Sequence, residues 1–180
     1  MECAPRRGDD TFGMALDGSE VVMTAHFCFF WKPPAPFSQW TRSHFTVAGV
    51  AYTHAEQFMM AEKARLFGDD AMRVRILQAT HPDTQKKLGQ AVRGFVEETW
   101  RHHRVDIVVR GNLAKFGQSE KLRRALLETG ERRLAEASPR DCIWGIGLRA
   151  DDPRALDPAQ WRGENLLGRA LDEVRRSLRG

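Results

Sequence analysis

The sequence predicts an α+β protein, mainly helical, folded as a single domain with a small N-terminal β-sheet. Three observations predict it. The chain has 180 residues, about the length of one domain. β-Branched and aromatic residues gather near the N-terminus, from Val22 to Trp31 and from His44 to Tyr52. From Thr53 onward, cap residues, prolines and glycines punctuate stretches with a helical period.

The elements follow in order. Residues 1–20 carry glycines and aspartates with little periodicity and read as a flexible N-terminal arm ahead of a domain over 21–180. Val22 to Trp31 reads as one strand. Three prolines in Lys32-Pro33-Pro34-Ala35-Pro36 make the next segment a loop. His44 to Val47 and Val50 to Tyr52 flank Ala48-Gly49 as a hairpin, so the sheet is expected from these segments together. Thr53 and Glu56 have the spacing of a capping box that opens a helix to about Phe67. Asp69 or Asp70 caps a second helix, and Pro82 starts a third that runs to about Val92. A longer helix is expected from about Phe95 to Phe116, with a break near Gly111. Ser119 caps another, closed by Thr129-Gly130. Arg133 to Ala137 is a short extended piece. Two loops follow, around Trp144-Gly145-Ile146-Gly147 and from Asp151 to Pro158. The last helix starts near Asn165, with Leu167, Leu171, Val174 and Leu178 on one stripe.

Composition narrows the function classes. The chain is 42% hydrophobic and 29% charged, as a packed globular protein is, which excludes wholesale disorder. A net charge of +4 suits an anionic ligand without specifying one. Cys3, Cys28 and Cys142 form no C-x-x-C, and no His or Cys pair has zinc-like spacing, so neither a metal nor another cofactor is expected. Val21 to Trp31 is too short and mixed to cross a bilayer, and no signal-peptide core follows the N-terminus. The reading is a cytoplasmic protein.

Two stretches stand out chemically. On a wheel of about 100° per residue with Glu56 at the origin, Lys63 falls near 340°, Met60 near 40°, Phe67 near 20° and Met59 near 300°. Glu56 and Lys63 therefore lie within the apolar face of their helix. A buried acid and amine are costly unless they are paired or line a wet cleft. Two readings stay open: a capping acid with a snorkelling lysine, or two groups that reach one ligand. The second stretch is Asp141 to Gly147. Gly145 and Gly147 can let backbone N–H groups approach an anion, Trp144 can stack on a base, and Asp141 can take a hydroxyl or act in acid–base work. A G-x-G turn with a core Trp explains the same residues. Trp100 shares a stripe with Val96, His103 and Ile107, a core pattern that also fits a ligand wall. The helix N-terminus at Asn165 can cap itself or hold a phosphate.

The order of these features carries a resemblance. Phe37-Ser38-Gln39-Trp40, Tyr52-Thr53-His54-Ala55-Glu56 and Lys63-Ala64 come first. Then follow Leu88-Gly89, Trp100, Lys115-Phe116 and Thr129-Gly130. Leu134 with Glu136, Ser138-Pro139, Asp141, Trp144-Gly145 with Gly147, and Gly163, Asn165 and Gly168 close the set. From about Phe27 to Leu178 the chain resembles the YbiA-like, or NADAR, family. The resemblance implies a single YbiA-like domain and an N-glycosidase. Its substrate class is either ADP-ribose on guanine, so that ADP-ribosylated nucleic acid becomes a partner, or a phosphoribosylamino-pyrimidine of the early riboflavin pathway. It implies Glu56, Lys63 and Asp141 as catalytic residues. Trp100 and Trp144 are implied at the substrate, and Ser38, Gly145, Gly147 and Asn165 are expected to bind it with them. Two departures fall near the expected site: Gln57 where a His commonly follows the acid, and Gln39-Trp40 where Asn-Phe is common. A non-catalytic module binding ADP-ribose or NAD is the alternative, and it has no use for Glu56 and Lys63 together. The burial that the wheel implies should raise the Glu56 pKa and lower that of Lys63, which suits an acid and a nucleophilic amine.

Overall fold

A computed structural model describes residues 21–180; the arm expected over 1–20 lies outside the described residues. β1 (Val22–Met23) and β2 (Phe27–Phe30) form an antiparallel hairpin. The single strand expected from Val22 to Trp31 is thus two. Thr24 makes the break: its hydroxyl oxygen accepts the N–H of Phe27 at 2.9 Å, closing a turn that alternation of residue types does not reveal. All four residues of β2 are buried, so the strand needs neighbours on both sides. The second neighbour is β5 (Arg133–Glu136), which pairs with β2 in parallel. The hairpin β3 (Phe45–Val47) and β4 (Val50–Tyr52) does not join this sheet. It forms its own two-stranded sheet, with Phe45 stacked on Tyr52. The expected N-terminal sheet is therefore two small sheets, one completed by a distant strand.

The helices are α1 (Ala55–Leu66), α2 (Asp70–Gln78), α3 (Pro82–Gln90), α4 (Glu97–Gly117), α5 (Glu120–Glu128) and α6 (Leu166–Arg179). Two short 3-10 turns, Pro153–Leu156 and Pro158–Gln160, precede α6. Asp69 and Ser119 cap α2 and α5 with their side chains, and Pro82 sits in the first turn of α3. α1 packs against α2, α3 and α4, so nearly its whole circumference is buried. α4 is continuous through Gly111, against the expected break. Gly111 serves packing: a Cβ there would lie 2.5 Å from the Phe58 ring of α1. α6 docks by Leu167, Leu171 and Val174 on α4 and β5.

The capping box at the head of α1 does not form. His54 is the N-cap and makes no side-chain cap bond. The Thr53 N–H instead donates to Gln57 Oε1, and Gln57 Nε2 donates to the carbonyls of Ile76, Leu77 and Ala79 at the end of α2. Gln57 thus ties two helices together. Among the described residues, no helix is long and apolar enough to cross a membrane.

Candidate active site

A cleft of about 530 Å³ opens where α1 meets the loop after β2 and the loop after β5. α1 supplies Glu56, Met59, Met60 and Lys63. The 31–40 loop supplies Trp31, Lys32, Ser38, Gln39 and Trp40. α3 adds Lys86, α4 adds Trp100, and the β5 side adds Glu136, Arg140, Asp141 and Trp144. As the wheel implies, Glu56 and Lys63 line one cavity. Four of the five tryptophans line it, which makes flat π-surfaces the dominant apolar element of the walls.

Glu56 is only 4% exposed. Burial pushes its carboxyl up to about 7, against the pull of Lys86 and of a hydrogen bond from the Trp40 side chain, with Asp141 adding a small push. Its backbone N–H donates to the Gln39 carbonyl at 3.1 Å, which ties the 31–40 loop to the helix. Lys63 is half-buried. Its ammonium lies 4.2 Å from the Phe95 ring centroid and 5.6 Å from that of Trp100. Burial lowers its pKa, and Glu97 pulls the other way. Rings in place of a carboxylate keep the amine in position without a fixed ion pair.

The 31–40 loop is held from behind by α4. Lys115 is fully buried and donates to the Ser38 carbonyl at 2.9 Å, while Asn112 donates to Gln39 Oε1 at 3.1 Å. Burial brings the Lys115 amine down to about 7. Ser38 lines the cleft, and its hydroxyl oxygen accepts the Trp40 N–H. Of the two departures noted in the sequence, only Gln39-Trp40 faces the cavity; Gln57 is turned away to cap α2. Trp40 does what a Phe cannot, because its side chain donates a hydrogen bond to Glu56.

The second sequence-predicted stretch divides. Asp141 and Trp144 line the cleft. Asp141 Oδ1 is already engaged, accepting the N–H groups of Ile143 at 2.9 Å and Trp144 at 2.7 Å. Gly145, Gly147 and Asn165, expected at the substrate, are not among the residues that line this cleft. A Cβ on Gly145 would meet the Glu136 carbonyl at 2.9 Å, and one on Gly147 (φ +69°) would meet Arg162 at 2.7 Å, so both glycines serve close chain packing. The Asn165 side chain is inserted against β5: Oδ1 accepts the Glu136 N–H, and Nδ2 donates to the Leu134 carbonyl. The first amides of α6 are not open to a phosphate either. Leu166 and Leu167 donate to the carbonyls of Ile143 and Trp144.

Sequence reasoning gave no role to Glu136, Lys86, Lys115, Trp31 or Trp40. Lys115 was open to the test that found Lys63. It follows Ile107 and Gly111 at intervals of four on the buried face of α4. Glu136 ends β5 with its Oε2 shielded from solvent and without a hydrogen-bond partner. Burial, with Asp141 and Glu56 nearby, pushes this carboxyl up to about 8. Among the described residues, no cluster of three His, Cys, Asp or Glu is placed to hold a metal ion. The site can offer two carboxyls whose pKa values burial raises to about 7 and about 8, an amine whose pKa burial lowers, and aromatic walls. The cations Lys32, Lys86 and Arg140 also line it.

The chain is similar to several known proteins. The NADAR domain model matches residues 29–179. An N-glycosidase of Acanthamoeba polyphaga mimivirus is 43% identical over 144 residues, covering 77% of this chain and 85% of that protein. An N-glycosidase of Nostoc punctiforme is 28% identical over 157 residues, covering 87% and 94%. The NMR structure of the Escherichia coli protein YbiA superposes with a TM-score of 0.71 at 24% identity over 88% of each chain, a likeness of fold.

Proposed function

This chain belongs to the NADAR domain family, and from that membership we propose that it is an N-glycosidase which hydrolyses the C1–N bond between a ribosyl group and a nitrogenous leaving group. The observation that carries the reading is the convergence of Glu56 and Lys63 on one aromatic cleft. A C1–N bond breaks when the leaving nitrogen gains a proton and C1 gains electron density. Glu56, with a pKa of about 7, holds a proton to give at neutral pH and can take one back. Lys63, its pKa lowered by burial, reaches the neutral amine more readily than an exposed lysine. An N-linked ribose can open its ring, and Lys63 then captures C1 as an imine that water releases.

The substrate carries phosphate. Lys32, Lys86 and Arg140 around the cleft support an anionic group, and the tryptophans support a flat base beside it. Two leaving groups fit: guanine in ADP-ribosylated nucleic acid, and the amino-pyrimidine of a phosphoribosylamino riboflavin intermediate. The test is product analysis with both, in the presence of borohydride. The expected result is release of a ribosyl product from one of them, with a reduced adduct on the peptide that contains Lys63. Lys63→Arg should bind ligand but neither turn over nor trap. Full turnover in Lys63→Arg and no adduct in the wild type would reject the imine and leave attack by water assisted by Glu56 or Asp141. Binding without any product from either substrate would favour a module that only binds ADP-ribose.

A further inference from the structure

Opening the ribose ring requires a proton on the ring oxygen, and expelling the leaving group requires another on nitrogen. One acid cannot be on both atoms. The cleft holds three carboxyls, and their surroundings differ. Asp141 uses Oδ1 to fix the turn at Ile143 and Trp144. Glu56 has the Trp40 side chain as a hydrogen-bond donor and Lys86 nearby, so its anion is supported once the proton has left. Glu136 has no such donor: its Oε2 is shielded and unpartnered, and burial, with Asp141 and Glu56, pushes its carboxyl up more than Lys86 pulls it down. A buried carboxyl with an unpartnered oxygen at the cleft wall favours its protonated form.

We propose that Glu136 is the second proton donor of the reaction, serving the ribose ring oxygen while Glu56 serves the leaving nitrogen. The assignment rests on the imine reading given above. In the first step the C1–O bond of the ring breaks, the nitrogen lone pair forms a C1=N bond, and the Glu136 proton passes to the freed oxygen. Lys63 then adds to C1, and the proton that its nitrogen sheds returns to Glu136. Glu56 protonates the leaving nitrogen as the C1–N bond breaks and the Lys63 imine forms. Water adds to C1, its proton goes to Glu56, and release of the aldehyde frees the amine. Both acids and Lys63 end as they began. The elevated pKa of Glu136, about 8, keeps its proton in place at neutral pH.

The experiment removes the leaving group from the problem. Wild type and Glu136→Gln are incubated with borohydride and either ribose 5-phosphate, which must open to present an aldehyde, or glyceraldehyde 3-phosphate, which has no ring. The rate of adduct formation on the Lys63 peptide is measured by mass spectrometry. Wild type should trap both. Glu136→Gln should trap ribose 5-phosphate about 100-fold more slowly and glyceraldehyde 3-phosphate at the wild-type rate. The second probe also reports that the variant is folded with a competent Lys63. Glu136→Asp, still an acid, should recover part of the ribose 5-phosphate rate. Equal slowing on both probes would make Glu136 a structural residue, and no slowing on either would remove it from the reaction; both outcomes overturn the proposal. A wild type that traps neither probe overturns the imine reading and this proposal with it, a pattern distinct from failure of Glu136 alone.

Discussion

The α1 wall and the 141–165 loop both drew notice for polar or small residues that a bland core does not need, yet the structure uses them in opposite ways. On α1, Glu56 and Lys63 face the cavity, the one with a single side-chain donor, the other held by rings. In the loop many of the polar groups are already engaged: Asp141 Oδ1 holds two amides, the Gly145 carbonyl accepts the Asn165 N–H, and Asn165 bonds β5 twice. Chemistry requires unfilled capacity, and burying such capacity is destabilising. Residue type alone does not separate the two cases, whereas the state of each donor and acceptor does.

The largest test of the contrast is on α1. Glu56→Gln removes the proton for the leaving nitrogen but preserves shape. Turnover should fall by about 100- to 10,000-fold, the usual contribution of a general acid, with the melting temperature unchanged or higher. Normal turnover in this variant would place α1 with the loop, as structure only.

Asn165→Ala probes the other side. It strands the Glu136 N–H and the Leu134 carbonyl and places Ala at φ 53°, where Asn is tolerated far better. The expected loss is about 2–4 kcal/mol of stability, read by denaturant unfolding, because each buried polar group left without a partner costs about 1–3 kcal/mol. KM of the folded protein should stay near the wild-type value. A raised KM at unchanged stability would return Asn165 to the substrate.

The buried titratable groups around the cleft also make stability depend on pH. Folding raises the Glu56 carboxyl from an ordinary 4.5 to about 7, so between those values the folded protein keeps a proton that the unfolded chain has lost. Its contribution to stability therefore falls as pH rises from 4.5 to 7 and is flat above. Glu136 extends the fall to about 8. Lys115 acts in the reverse sense: with its amine at about 7 against 10.5 unfolded, its cost is full below 7 and fades as pH climbs toward 10.5. Unfolding free energies of wild type and Glu56→Gln should converge at pH 4 and separate by pH 7.5, with the variant more stable by about 3 kcal/mol or less. Parallel curves would mean that the Glu56 carboxyl is hydrated.

Helix starts were legible because their causes are local: Asp69, Pro82 and Ser119 each act within one turn. The convergence of Glu56 and Lys63 was legible because helical periodicity alone sets it. The pairing of β2 with β5 was not, since a parallel partner far along the chain leaves no local signal. Glu136 was hidden for the same reason, because the end of that strand becomes a cleft wall only once the pairing exists. Gln57 misled by adjacency to Glu56; one residue further on a helix turns about 100°, which is enough to leave the cavity.

The smallest expected effect is at Trp144, where the two regions meet. Its ring lines the cleft, while its backbone is bound into the loop through the N–H to Asp141 and the carbonyl to Leu167. The side chain also packs on the main core, so Trp144→Ala removes stacking and packing together. Trp144→Leu separates them, since it retains apolar bulk but has no π-face. If a base stacks on the ring, Ala should weaken substrate binding by about 1–3 kcal/mol. Leu should weaken binding nearly as much while holding the melting temperature closer to wild type. Titration of each variant with a non-reacting substrate analogue, beside its melting curve, gives both numbers. Affinity that follows stability, lost in Ala and restored in Leu, would assign Trp144 to the loop's architecture and leave Trp31, Trp40 and Trp100 as the stacking surfaces.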